Sequence, residues 1–251
     1  SCASPGQAAT IAPSGFPSPA PAFASVPVAA AAPLALYKPR ECMDDPSQEV
    51  TKLVVTKVSA TLSILGSGYI VRFVWRKWRT RRASIDPHQR IMAAYSVYDM
   101  LFSFFCFFLG SWMTPDETGW WGATGNTATC SMQGFFYVFA GTGSVLYQIM
   151  LSLQMLLLVA YDWRPSEFEE RIEYRMHGCI GVFTVILASV PLFFQGYNPR
   201  CGVCGAVPLP LSCADPSDSI QCLRGSATIT SVYLPIFVLL VFAATVFCTG
   251  A

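Results

Sequence analysis

Charged and imidazole side chains are both scarce in this chain. Charged residues make up 12% of its 251 residues, against about 25% in an average soluble domain. The two histidines, His88 and His177, cannot assemble a nucleophile–base set or a histidine metal site. We therefore expect no enzyme, no metal and no cofactor, and Gly141–Gly143 is expected to pack helices. The net charge of +1 predicts no nucleic-acid partner.

What the chain does contain is long apolar runs. Charges are nearly absent from five stretches, each long enough to cross a ~30 Å hydrocarbon layer as a helix. These runs are continuously apolar rather than alternating, which favours helices over barrel strands. The predicted fold is an all-α polytopic transmembrane helix bundle in contact with the lipid bilayer. Its helices are expected at about Leu53–Trp75, Ile91–Met113, Met132–Tyr161, Met176–Tyr197 and Ile229–Thr249.

The basic residues of the short connections predict the orientation. They are frequent in the first and third connections and absent from the second, and positive residues mark the cytoplasmic side. The N-terminus is therefore expected outside, where five cysteines would meet an oxidising environment. The basic residues are Arg76, Lys77, Arg79, Arg81, Arg82 and Arg90 in the first connection and Arg164, Arg171 and Arg175 in the third. The outer cysteines are Cys130, Cys201, Cys204, Cys213 and Cys222.

Composition divides the chain into two regions. Residues 1–51 open with a long Ala, Pro and Ser-rich segment that cannot bury enough apolar surface to offset its ordering entropy. We expect a disordered extracellular tail there and a transmembrane domain over residues 53–251. The chain begins with Ser1, and its fifth run stops without a basic flank. We therefore expect a piece of a longer protein, cut at its C-terminal side.

The first apolar run ends in a dense basic cluster, Arg76–Arg82. The simpler interpretation is a topology signal that also attracts anionic lipid headgroups, at roughly 1 kcal/mol per charge. The sharper alternative is direct contact with an acidic surface of a G protein or kinase. Lys57 and Arg72 lie near the two ends of the run and are expected to snorkel to the interfaces.

Short motifs follow one another along the apolar part of the chain. They are Ser63–Ser67, Ser96–Asp99, Gly125–Cys130, Gln133–Phe136, Arg171–Glu173, Met176–His177, Tyr197–Pro199 before Cys204, and Cys222–Gly225. The ordered set resembles the seven-transmembrane, G-protein-coupled-receptor-like proteins of unicellular eukaryotes, and most closely their cAMP-receptor-like branch. The resemblance implies seven helices, five of them present here, and a receptor in the plasma membrane. It also implies an extracellular ligand of unknown identity and a heterotrimeric G protein as partner.

The resemblance also implies disulfide bonds on the outer side. With their side and position it gives Cys130–Cys204, which would join the top of the third helix to the following outer loop. Cys213–Cys222 is a second expected pair within that loop, and this leaves Cys201 over, with Cys42 as one option for its partner. Sequence spacing alone does not fix this connectivity. A four-thiolate zinc site stays open as an alternative, with the ligands Cys201, Cys204, Cys213 and Cys222.

Asp99 is the one carboxylate deep inside a predicted span. An ionised carboxylate is costly in hydrocarbon, so Asp99 should face the bundle interior or water. The resemblance implies a sodium site or a titrating switch at this position, and the alternative is a hydrogen-bonded packing residue. The candidate ligand contacts are Trp112, Gln133, Tyr137 and Tyr233. The predicted coupling face comprises Arg76, Lys77, Arg79, Arg81, Arg82, Tyr161, Arg164, Arg171 and Arg175.

The predicted function is therefore a receptor that senses an extracellular ligand and signals through its cytoplasmic loops. Two other classes stay open. A transporter or channel would use a polar path along Asp99, Gln148 and Gln154. A purely structural multi-span scaffold would tolerate changes at Asp99 and in the cytoplasmic loops.

Overall fold

The protein is described by a computed structural model that covers residues 46–80, 86–210, 213, 222, 224–225 and 238. These residues are mostly helical. Six α-helices and one two-stranded hairpin occur in the described ranges. They are α1 (Pro46–Thr80), α2 (Pro87–Phe102), α3 (Gly110–Met113), α4 (Thr127–Ala160), α5 (Pro165–Phe168), α6 (Tyr174–Phe193), β1 (Tyr197–Arg200) and β2 (Val203–Ala206).

Four helical stretches in the described part are long and apolar enough to cross a membrane. They run over Val50–Thr80, Pro87–Phe108, Thr127–Ala160 and Pro165–Phe193. The first four predicted spans are thus confirmed as helices, and the chain has the character of a multi-pass membrane protein. The fifth predicted span, at about 229–249, lies outside the described residues apart from Val238, as does nearly all of the predicted tail.

Several predicted helix limits were wrong, each for a local reason. The first helix begins at Pro46 rather than at 53, since proline suits the first helical turn. It continues to Thr80 with Lys77 and Arg79 in its last turn, where basic residues complement the helix dipole. The third begins at 127 because Asn126 and Thr129 form a capping box, in which the Thr129 amide donates to Asn126 Oδ1 at 3.0 Å.

The end of the fourth span was also placed too late. The helix stops at Phe193, and Gln195 adopts a left-handed φ of 51°. The Gly196 amide then donates to the carbonyl of Pro191 at 2.8 Å, a closing bond typical of helix C-termini. The chain turns back at this point, so Tyr197 begins a β-strand instead of ending a helix, and the all-α prediction needs this correction.

Two of the spans contain a π-helical segment that the sequence analysis did not predict. Ser103–Phe108 joins α2 to the short helix α3, and Glu169–Glu173 joins α5 to α6. The wider π turn leaves backbone groups without their regular i→i−4 partners, and such turns are frequent at functional sites. We therefore expect side chains from other helices to hydrogen-bond to the backbone of these two segments.

Helix α4 is the centre of the described bundle, since it packs against α2, α6 and both strands. Helix α1 packs on α2 and the adjoining π-helical segment. Many large apolar side chains on the rest of its surface are exposed, from Val54 to Trp78, as suits a helix that faces lipid, and exposed arginines follow near its C-terminal end. The buried core among α2, α4, α5 and α6 contains Ile91, Leu146, Tyr147, Met150, Phe168, Ile172, Met176 and Ile180.

Small residues on α4 allow α2 to approach closely. A Cβ atom added to Gly143 would overlap the ring of Tyr98. That ring has little room to move, because it packs against Phe139 and Tyr147 at centroid distances of 5.1 and 5.4 Å. Gly143 is thus a packing residue, as the sequence predicted.

Gly143→Ala is expected to lower the free energy of unfolding by about 1–3 kcal/mol, since overpacking a filled contact forces neighbouring groups to shift. Gly178→Ala is the matched control: it also lies inside a span, and its added Cβ would meet nothing within 4 Å. Unfolding of the full chain in mixed micelles, titrated with denaturing detergent, measures both variants. Equal stability of the two variants would contradict the close contact.

Candidate functional site

The cysteines at one end of the bundle are joined as disulfides. Cys130 at the start of α4 is bonded to Cys204 in β2, and Cys213 is bonded to Cys222, with 5.3 Å between the Cα atoms in each pair. Both predicted pairs are therefore confirmed, and the zinc alternative is wrong because these sulfurs are bonded to one another. Cys201 is also disulfide-bonded; the predicted partner Cys42 lies outside the described residues. We call this end of the bundle the cysteine end.

The hairpin β1–β2 covers the cysteine end of α4. Its two-residue turn is Cys201-Gly202, with φ values of 48° and 80°, and hairpin turns of this primed kind need positive φ at both positions. Tyr197 is buried, its ring fills the space that a side chain on Gly134 would occupy, and its hydroxyl donates to the carbonyl of Ala188 at 2.7 Å. The hairpin is thus anchored to α4 and α6 together.

Gln133 connects this hairpin to the interrupted second span. Its side chain is fully buried. The Nε2 group donates to the carbonyl of Gly110 at 3.1 Å and, at 3.4 Å, to the carbonyls of Phe105 and Cys106 in the π-helical segment. Its Oε1 accepts from the backbone N–H of Cys204 at 3.0 Å. Gln133 was predicted as a ligand contact, but its amide is engaged at both ends within the protein.

Two further hydrogen bonds fix the short helix α3 under the hairpin. The hydroxyl of Thr114 donates to the carbonyl of Gly202 at 3.0 Å, and the hydroxyl of Thr129 donates to the carbonyl of Met113 at 2.8 Å. At the cysteine end, α3, the start of α4 and the hairpin are thus joined by one disulfide and a set of buried hydrogen bonds. We call these three elements together the cap.

The other predicted ligand residues are distributed around this cap. Trp112 is 46% exposed, and the Nζ of Lys57 lies 3.7 Å from the centroid of its ring. The same Nζ donates to the carbonyl of Phe108 at 2.7 Å. Tyr137 is 43% exposed and packs beside Phe102 at 5.5 Å. Tyr233 lies outside the described residues.

Asp99 faces α1 rather than α4. Its Oδ2 accepts from the hydroxyls of Ser63 and Ser67, both at 2.7 Å, and the hydroxyl of Ser103 donates to Ser63 Oγ at 3.0 Å. The carboxylate thus holds α1 against α2 through a cluster of serines. Its hydrogen-bonding partners satisfy it in an apolar setting, as a costly intramembrane carboxyl requires.

The three residues of the predicted polar path have separate surroundings. Asp99 bonds to the serines of α1, Gln148 is exposed on α4, and Gln154 is buried with its Oε1 3.3 Å from Nδ1 of His88. No hydrogen bond in the described part of the chain joins any two of them.

A second polar network occupies the opposite end of the bundle, which we call the basic end. Arg90 near the start of α2 makes a bidentate ion pair with Glu173, through Nε–Oε1 at 2.5 Å and Nη2–Oε2 at 2.7 Å. The Glu173 side chain is only 7% exposed. Charge-assisted bidentate pairs of this kind are among the stronger polar contacts in proteins.

The network continues from Glu173 to α4. Nε2 of His177, one helical turn beyond Glu173, lies 3.8 Å from Glu173 Oε1. Nδ1 of the same ring is 2.7 Å from the hydroxyl of Tyr147, which is buried. We call the four residues Arg90, Glu173, His177 and Tyr147 the inner network; they join α2, α4 and α6.

Sequence reasoning did not identify this inner network. Arg90 is predicted there as one of the charges that set the topology, and His177 enters only in the argument against a catalytic or metal site. The spacing of Glu169, Glu173 and His177 by four residues was the available signal, because it aligns three titratable groups on one helical face. Which of them would be buried depended on the approach of α2.

Most of the predicted coupling residues surround the same end. Arg76, Arg79, Tyr161, Arg164, Arg171 and Arg175 are exposed there, and Lys77 donates to Gln89 Oε1 at 2.8 Å. Arg171 lies 5.7 Å from the ring of Trp163, and Arg175 donates to the carbonyl of Arg171. Arg81 and Arg82 lie outside the described residues.

Comparison of the chain with protein-family models, with curated proteins and with solved structures found no match. Among the described residues no group of three or more His, Cys, Asp or Glu side chains is arranged to hold a metal ion.

Gln133→Met is expected to lower the free energy of unfolding by about 1–3 kcal/mol, since it leaves the Cys204 amide and the carbonyls above α2 unpaired at a buried site. Gln148→Met is the matched control on the same helix, and as an exposed change it should stay within about 0.5 kcal/mol. Hydrogen exchange at the Cys204 amide should accelerate only in the Gln133 variant. An unchanged exchange rate would disprove the bridging role.

A double-mutant cycle tests the inner network. We expect a coupling energy of about 1–3 kcal/mol between Arg90→Ala and Glu173→Ala, because the two groups share a largely buried contact. Arg90 also meets Glu169 at 2.8 Å, but the Glu169 side chain is 53% exposed, so the cycle with Glu169→Ala should give less than about 1 kcal/mol. Equal coupling energies in the two cycles would contradict the expectation that the buried pair is stronger than the exposed one.

Proposed function

We propose that this chain belongs to a seven-transmembrane, G-protein-coupled-receptor-like protein. It senses an extracellular ligand at the cysteine end and signals to a cytoplasmic partner at the basic end. The proposal places the N-terminus outside the cell and the protein in the plasma membrane. Its ligand contacts are drawn from exposed rings near the cap, of which Trp112 and Tyr137 belong to the described residues.

One observation carries the proposal: the cap and the inner network lie on the same helices at opposite ends. α4 and α6 carry the anchored hairpin at one end. At the other end lie Tyr147 on α4, His177 on α6 and Glu173, the last residue of the π-helical segment that leads into α6. A ligand that moves the cap therefore acts on helices whose other ends are held, among the described residues, by non-covalent contacts. Such a bundle can adopt two packings that a ligand and a partner bias in common.

The network supplies the contact that would distinguish the two packings. Arg90 on α2 and Glu173, which directly precedes α6, form an ion pair. Any separation of α2 from the start of α6 must therefore break a largely buried pair. A substitution that removes the Arg90–Glu173 pair therefore makes this separation easier and leaves the cap unchanged. The state that exposes the basic end should then become more populated in the absence of ligand.

Glu173→Gln is therefore expected to raise basal G-protein activation several-fold, since it removes the charge that holds Arg90 but keeps the size of the side chain. Resonance energy transfer between labelled Gα and Gβγ subunits, in cells that express the full-length protein, measures this signal across a panel of Gα types. Glu169→Gln is the matched control, because Glu169 meets the same arginine from an exposed position.

A flat signal for both variants, with the protein present at the cell surface, would overturn the receptor proposal. An equal rise in basal activation in Glu173→Gln and Glu169→Gln would mean that the loss of a negative charge, and not the loss of the buried pair, causes the effect. Labelling of an N-terminal epitope on intact cells reports surface location and orientation in the same experiment. Solute uptake that is lost in Asp99→Asn would instead favour the transporter alternative.

A further inference from the structure

Three arginines form a line on the exposed side of α1 near its C-terminal end. Arg72, Arg76 and Arg79 are spaced by four and three residues, and all three side chains are exposed. At 100° per residue they fall within an arc of about 60°, and they extend over about 10 Å along the helix axis. We call these three residues the arginine stripe.

The arginine stripe has no acidic partner within the described part of the protein. Its guanidinium groups enter no ion pair there, whereas Arg90 at the same end is paired with Glu173 and Glu169, and Lys77 is bonded to Gln89. The basic residues that face other helices are thus engaged within the protein. The three on the outward face of α1 remain available for a ligand that brings its own negative charge.

Two tryptophans lie beside the arginine stripe. Trp75 and Trp78 are 57% and 61% exposed, and their ring centroids are 5.2 Å apart. Exposed tryptophans on a membrane-spanning helix favour the depth of the lipid headgroups. Helix α1 has 35 residues, about 52 Å at 1.5 Å per residue, so its last turns extend beyond a hydrocarbon layer of ~30 Å. The arginines are therefore placed at the level of the lipid phosphates.

We propose that the arginine stripe, with Trp75 and Trp78 beside it, is a binding site for an anionic phospholipid whose headgroup carries more than one phosphate. Guanidinium groups bind phosphate oxygens in a bidentate manner, and three of them in line match several phosphates rather than one. The tryptophans favour a lipid over an acidic protein surface because they set the site at headgroup depth. The inference requires that α1 cross a membrane, but not that the protein be a receptor.

The test uses the purified full-length protein in a neutral detergent, titrated with a short-chain phosphatidylinositol bisphosphate and followed by microscale thermophoresis. The combined variant Arg72→Gln/Arg76→Gln/Arg79→Gln should bind at least tenfold more weakly, since each basic residue near an anionic surface contributes about fivefold. The matched control, Arg164→Gln/Arg171→Gln/Arg175→Gln, removes the same number of exposed arginines at the same end and should bind within about twofold of the parent protein. The affinity for phosphatidylcholine should be the same in the parent protein and in both triple variants.

Several results would overturn the proposal. Equal weakening in both triple variants would mean that only net charge matters, and undiminished binding in the first would remove the site. Binding of free inositol trisphosphate as tight as that of the lipid would identify a soluble-anion site instead. If the Arg72→Gln/Arg76→Gln/Arg79→Gln variant loses G-protein activation but binds the lipid as the parent protein does, the stripe is a protein-docking surface instead. If the triple variant does not fold, Arg76→Gln and Arg79→Gln are used singly, each with an expected weakening of about fivefold.

Discussion

A buried amide, Gln133, is the contact on which the cysteine end depends. In a hydrocarbon layer no water is available to satisfy backbone groups, so every irregularity in a spanning helix needs a partner from the protein. The π-helical segment Ser103–Phe108 creates such an irregularity, and Gln133 meets its carbonyls with one end of the amide. With the other end it accepts from Cys204, so the same side chain that permits the irregular second span also seats the hairpin.

The disulfide and this amide reinforce each other. Cys130–Cys204 closes a loop with a sequence separation of 74, for which restriction of the unfolded chain suggests about 4 kcal/mol of stabilisation in an entropic model. The bond restricts where Cys204 can lie, and Gln133, one turn along α4 from Cys130, fixes the orientation of its backbone. Tyr197 then fills the space left open at Gly134. The cap is rigid because covalent, polar and packing constraints act on the same few residues.

The basic end is held differently. Its contacts are ionic and hydrogen-bonded and involve Arg90, Glu173 and His177, whereas the disulfides between described residues lie at the cysteine end. Non-covalent pairs separate reversibly, whereas the cap does not, so relative movement of the helices is expected to be concentrated at the basic end. This asymmetry suits a protein in which one end receives and the other reports. The arginine stripe stands apart from this network, since it lies on the exposed face of α1.

The sequence by itself determined the number and order of the described spans and the clustering of charge at one end and cysteine at the other. It could do so because length, apolarity and basic residues act locally, through the cost of placing polar groups in hydrocarbon. It misplaced helix limits where a cap or a left-handed residue decides them, as at Asn126 and Gln195.

Only the tertiary structure decided which polar residues meet. Gln133, chosen from sequence as a ligand contact, lies buried between a π-helical segment and the hairpin, while Glu173 and His177 became partners of Arg90 and Tyr147. Asp99 turned to the serines of α1 rather than to Gln148 or Gln154. These outcomes depend on how α2 and α6 approach α4, and residues as far apart as 83 positions, such as Arg90 and Glu173, meet only after the helices have packed.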